Sequence, residues 1–123
     1  MDNSELRNFA YLGDAVWELF VREITVNLTN NPKKLHSITI QRVNASYQAQ
    51  MLNLLSNDFT EEESEIVRRA RNLPVPISRR HIQSEYRQAT AFEAIIGYWH
   101  LTDKSKLLSK FEFMKSQFSE EQH

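Results

Sequence analysis

Two acidic residues stand where an acid is costly. Asp14 follows Gly13 in an apolar stretch, and Glu93 lies four residues before Gly97 in another. These are the only two glycines in the chain. Glycine inside a helix costs about 1 kcal/mol relative to alanine, so each should have a packing reason. Helices that cross at small residues can bring their backbones close. Asp14 sits beside one glycine, and Glu93 sits one turn before the other on the same face, so such a crossing would let the two acids converge. Carboxylates in apolar surroundings need a partner or a cation. Hard oxygen ligands suit magnesium, which takes one or two carboxylates together with water and substrate phosphate. The matching chemistry is metal-assisted phosphodiester hydrolysis, with an activated water and neutralised phosphate charge. The pattern leaves two other readings open. Gly13-Asp14 could be a helix stop followed by an N-cap, and Glu93 could pair with Arg87 or another arginine.

The elements that must position these acids are helical. With two glycines and three prolines in 123 residues, long stretches run without punctuation, which favours helices over many short strands. Apolar residues recur with helical spacing from Leu6 to Leu28. Asn30-Asn31-Pro32 breaks that run and opens a second helix reaching Leu55, with an interruption expected near residue 44. Thr60 and Glu63 have the spacing of a capping box, and the helix they start closes on Arg68, Arg69 and Arg71. Leu73-Pro74-Val75-Pro76 ends it, because the residue before a proline avoids the helical region. A loop to about Ser84 is expected, then a strongly apolar helix over 85–101. Thr102-Asp103 restarts a last helix with Leu107, Leu108, Phe111 and Met114 inward. The pattern predicts an all-α helical bundle in a single domain, residues 1–123, with a tail frayed from about residue 119.

Composition narrows the chemistry. The chain has no cysteine, which excludes disulfides, zinc-thiolate sites and thiol nucleophiles. No histidine pair has helical zinc spacing. No segment approaches 18 apolar residues, and the N-terminus lacks a signal layout, so a soluble cytoplasmic protein away from the membrane is expected. The net charge is -1, but it is unevenly placed: residues 66–90 carry six arginines against Glu85 alone. Local positive potential of this kind steers a polyanion, although it also fits an ordinary solvated helix face.

The segment Ala10-Tyr11-Leu12-Gly13-Asp14-Ala15-Val16-Trp17-Glu18-Leu19 resembles the signature helix of the ribonuclease III catalytic domain. Tyr86 through Tyr98, containing Thr90, Phe92, Glu93 and Gly97, resembles that domain's second acidic motif. Leu35-His36 followed by Val43, Ala45 and Gln48, with the Arg68-Arg69-Ala70-Arg71-Asn72 run, is similar to the short bacterial Mini branch, which has no RNA-binding domain. Full-length ribonuclease III has acids where this chain has Ala10 and Thr90, a loss also similar to the Mini branch. The loop from Leu73 to Ser84 is shorter and richer in proline than that branch's, and lacks its usual Gly and Lys.

The resemblance implies an all-helical, dimeric, magnesium-dependent endoribonuclease. Such enzymes cut both strands of an RNA duplex to leave 5′-phosphate and 3′-hydroxyl ends, and the Mini branch matures large-subunit ribosomal RNA. Asp14 and Glu93 would be the catalytic and metal-binding carboxylates for Mg2+. Arginine's fork suits phosphate, and duplex RNA is read through phosphates and 2′-hydroxyls. The RNA-binding candidates are therefore Arg71, Arg79, Arg80 and Arg87, then Lys34, His36 and Arg42. Trp17, Trp99, Phe20 and Phe92 are read as core or dimer interface. The competing readings are a catalytically silent domain of this type that binds ribosomal RNA or protein, and a helical interaction module without a nucleic-acid role.

Overall fold

The computed structural model describes the backbone of residues 1–121 and the side chains of residues 1–118. Among the described residues there are six α-helices and no strand: α1 (Asn3–Thr25), α2 (Pro32–Val43), α3 (Ala45–Leu55), α4 (Glu61–Arg71), α5 (Gln83–Thr102) and α6 (Lys104–Glu121). Short 3-10 turns, Ser56–Asp58 and Ile77–Ile82, lie in two of the connections.

The starts of these helices follow from their caps. Asn31 accepts from the backbone N–H groups of Lys33 and Lys34, with Pro32 at the first helical position. Asn44 divides α2 from α3 near the expected residue, and its side chain accepts from the Tyr47 N–H. Thr60 and Glu63 form the reciprocal capping box, which satisfies two otherwise orphaned donors.

The centre of the fold is the crossing of α1 and α5. A methyl group on Gly13 would stand 1.7 Å from the backbone oxygen of Glu93, and one on Gly97 would stand 2.0 Å from that of Phe9. Neither glycine has a positive φ. Both are therefore required for close approach, and α1 runs unbroken through Gly13 and Asp14. That removes the reading of Gly13-Asp14 as a helix stop.

Around the crossing, Trp17 and Val21 of α1 and Phe92, Ile95, Ile96 and Trp99 of α5 are completely buried. Trp17 meets Phe92 edge-on at 4.9 Å between ring centroids. Phe20 stacks on Phe111 of α6 at 4.0 Å. Aromatic burial of this size dominates core energetics.

The chain departs from its sequence pattern in three places. α1 ends at Thr25, before Leu28. Half of the segment expected as loop from Leu73 to Ser84 is a 3-10 turn, Ile77–Ile82, and α5 begins at Gln83. Leu108 is 63 % exposed; the inward stripe of α6 is Leu107, Phe111, Met114 and Phe118. Those four fall at successive steps of four, three and four residues, whereas Leu108 lies about 100° around the helix from Leu107. The tail expected to fray from about residue 119 includes residues 122–123, which lie outside the described residues, and the α6 backbone continues to Glu121.

Candidate active site

The glycine crossing fixes where the acids go. Gly13 lies against the backbone of Glu93 itself, so the residue after Gly13 must lie beside the Glu93 side chain. Asp14 and Glu93 share a hydrogen bond at the mouth of a cleft of about 250 Å3. Burial pushes the Glu93 carboxyl up to about 9, helped by the hydrogen bond and negative charge of Asp14, while a hydrogen bond from Gln48 works in the opposite direction. Two acids too close to ionise together share a proton. At neutral pH Glu93 therefore keeps its proton and donates it to Asp14.

Asp14 and Glu93 are the residues that would hold a divalent cation here, bound in their ionised forms. Among the described residues no group of three or more His, Cys, Asp or Glu side chains could hold a metal. The donor set is two carboxylates, with Ala10 and Thr90 beside them in the cleft wall. An oxygen-only pair that leaves room for water and phosphate fits magnesium.

Arg87 does not pair with Glu93. Its Nη1 donates to the backbone oxygens of Arg71 at 3.0 Å and Leu73 at 3.3 Å. It lines the cleft while clamping the end of α4 to α5, which gives it a structural task beside any contact with RNA.

The other six cationic candidates line no part of this cleft. Arg71 turns into a different cavity with Asn53 and Gln88, and its Nε is buried without a hydrogen-bond partner. Arg79 and Arg80 are exposed on the 3-10 turn before α5, and Lys34 and His36 are exposed on α2. Arg42 corrects the sequence expectation. It is 7 % exposed, its Nη1 donates to the Ile38 carbonyl, and its guanidinium lies 5.1 Å from the Phe118 ring centre. A phosphate cannot reach a guanidinium enclosed in the core, so Arg42 leaves the RNA set.

Two cleft or near-cleft residues escaped the sequence reading. Arg7 lines the cleft and is exposed, without a hydrogen-bonded or ion-paired partner among the described residues. Its spacing carried a signal, since it lies two helical turns before Asp14 on the same face. Gln48 is 3 % exposed and reaches Glu93. Its one signal in the sequence was its place in the segment that resembles the Mini branch, which gave it no role at the site.

The sequence is similar to known proteins over most of its length. Residues 7–104 match the Ribonuclease III domain. The Mini-ribonuclease 3 of Gloeobacter violaceus is 44 % identical over 102 residues, covering 83 % of this chain and 76 % of that protein. The Mini-ribonuclease 3 of Thermoanaerobacter sp. (strain X514) is 35 % identical over 114 residues, covering 91 % and 80 %. A crystal structure of a Fusobacterium nucleatum protein superposes with a TM-score of 0.80 at 34 % identity, covering 93 % of each chain.

Proposed function

Because this chain belongs to the ribonuclease III family, with Mini-ribonuclease 3 relatives, and is an endoribonuclease, we propose that it cuts double-stranded RNA with Mg2+ held by Asp14 and Glu93. The observation that carries the proposal is the convergence of the two carboxyls at the glycine crossing. When bound, the ion supplies an activated water and neutralises phosphate charge. The chain's own residues then have three tasks. Asp14 and Glu93 hold the ion, the α1–α5 crossing fixes their separation, and Arg87 keeps the cleft wall in place.

The backbone phosphates would be met first by Arg7 at the cleft and by the exposed Arg79 and Arg80, with Lys34, His36, Arg71 and Arg87 at secondary contacts. Maturation of a large-subunit ribosomal RNA precursor, in the cytoplasm, is the role that fits the Mini relatives. Among the described residues no helix is long and apolar enough to cross a membrane. Residues 1–123 would act as one catalytic unit and pair as a homodimer. Tyr11, 85 % exposed, lines the cleft, and Leu19, 58 % exposed on α1, is the candidate contact for the second chain.

The test is cleavage of duplex and single-stranded RNA of one sequence, with Mg2+ and with a chelator. The proposal expects duplex cleavage that stops on chelation and resumes when Mg2+ is restored. Equal cleavage of single strands, or activity indifferent to Mg2+, would overturn it.

A further inference from the structure

We propose that Arg7 is a substrate-binding residue that grips a backbone phosphate of the RNA flanking the one that is cut. The inference rests on the metal-site reading above. It deepens that reading by separating the group that holds a flanking phosphate from the acids that serve the scissile one.

The cleft is lined by two guanidiniums, those of Arg7 and Arg87. Arg87 is occupied. Its Nη1 donates to the backbone oxygens of Arg71 and Leu73. In the amide orientation that matches these donors, the Gln83 oxygen accepts from Arg87 Nη2 at 2.9 Å and from Nε at 3.1 Å. All three nitrogens of Arg87 thus hold the connection between α4 and α5. Arg7 is exposed and has no such partner among the described residues. It is therefore the cleft guanidinium whose donors are open to a phosphate.

The backbone beneath Arg7 is fixed relative to the acids. Asp2 caps α1 by accepting from the Glu5 N–H at 2.9 Å, and Leu6 is completely buried. Phe9 meets Tyr98 of α5 edge-on at 5.7 Å between ring centroids. Arg7 and Asp14 lie seven residues apart on α1, a rise of about 10.5 Å and almost two complete turns, so they share one face. That separation matches contact with a phosphate other than the one at the acids. Two carboxyls repel an incoming polyanion, and a cation on the same face offsets the repulsion. Arginine suits the task, because its guanidinium stays charged and its fork fits phosphate oxygens. A phosphate contact positions the strand without reading its bases, so Arg7 contributes affinity for every duplex sequence.

The test is the affinity of wild type, Arg7→Ala and Arg7→Lys for a short RNA duplex, read by fluorescence anisotropy in chelator so that binding is measured apart from cleavage. A set of duplexes, each with one backbone phosphate replaced by a neutral methylphosphonate, is read alongside. The cut position is mapped with wild type and Mg2+. Arg7→Ala should weaken binding about 10-fold, the loss of one charge-assisted contact, and flatten the salt slope by about one unit. Arg7→Lys should fall between the two, since it keeps the charge and loses the fork. One methylphosphonate away from the cut should weaken wild type by a similar factor and leave Arg7→Ala unaffected. Equal affinity of Arg7→Ala and wild type overturns the proposal. So does a scan in which every replacement costs the two proteins the same, or one in which the coupled phosphate is the scissile one. Failure of both variants to melt cooperatively overturns it too, because Arg7 would then serve the fold. If wild type binds the duplex but does not cut it with Mg2+, the metal-site reading falls, and the anisotropy scan still decides whether Arg7 holds a phosphate.

Discussion

Glu93 carries the strongest consequence at the scale of single residues. Its carboxyl is pushed up to about 9 by burial and by Asp14, whereas in the unfolded chain it titrates near the ordinary value of about 4.3. Between those two values the folded state binds the extra proton, so stability must fall as pH rises through that window. We expect the metal-free protein to lose stability steadily from about pH 5 towards about pH 9, and Glu93→Gln to flatten that slope. Chemical denaturation in chelator at several pH values measures it; parallel slopes for the two proteins would contradict the shared proton. Glu63 has the opposite sign. Burial works against its ionised form, but hydrogen bonds from Lys106, the Thr60 N–H and Trp99 outweigh that and hold the carboxyl below its usual range. Its contribution is present above the ordinary carboxylate range and is lost as pH falls through its lowered value.

At the scale of elements, the α1–α5 crossing decides the geometry of the site. Gly13→Ala would place a methyl 1.7 Å from the Glu93 carbonyl oxygen, and Gly97→Ala would place one 2.0 Å from that of Phe9. Backbone on both sides cannot swing aside as a flexible side chain can. Each change should destabilise by about 3 kcal/mol or more, at the upper end of overpacking costs, and should part the carboxyls. Denaturation midpoints test the first effect; a Gly13→Ala protein as stable as wild type would show the crossing to be looser. This crossing was legible in the sequence, because a glycine inside an apolar helix is unfavourable unless a neighbouring backbone needs the space, and here each lies close to an acid that needs a partner. The Asn31, Asn44 and Thr60 boundaries were legible for a local reason: a cap is a contact within three residues of its own position. Arg42, Gln48 and Leu108 were not. Their surroundings are set by which helix lies opposite, and helical periodicity leaves a residue at the edge of a stripe free to face either way. Arg42 shows the limit best, since its charge suggested the surface while Phe118, 76 positions along the chain, supplies the face that encloses it.

At the scale of the whole molecule, the chain must bind a polyanion while carrying a net charge of -1. Affinity then depends on where the cations lie, and it should fall steeply with salt. Each phosphate neutralised contributes close to one unit of slope in log affinity against log salt. Replacing Arg79 and Arg80 together by alanine should weaken binding to all duplex sequences and flatten the slope by up to about two units. Fluorescence anisotropy over a salt series would show this; an unchanged slope would move the contact to Arg7, Lys34 and Arg71. Pairing of two chains would match the pseudo-twofold symmetry of the duplex. Light scattering should find a dimer in wild type and a monomer in Leu19→Glu, and an active wild-type monomer would refute the pairing. Catalysis as proposed requires Asp14 and Glu93 to act together on one cation. The measurement that tests this most directly is the cleavage rate of duplex RNA by Asp14→Asn and Glu93→Gln at saturating Mg2+, with folding verified by circular dichroism. Each substitution keeps the shape and removes the ligand charge, so each should lower the rate by at least about 1,000-fold, the loss of several kcal/mol of transition-state stabilisation. Either variant cleaving at close to the wild-type rate would contradict the shared metal site.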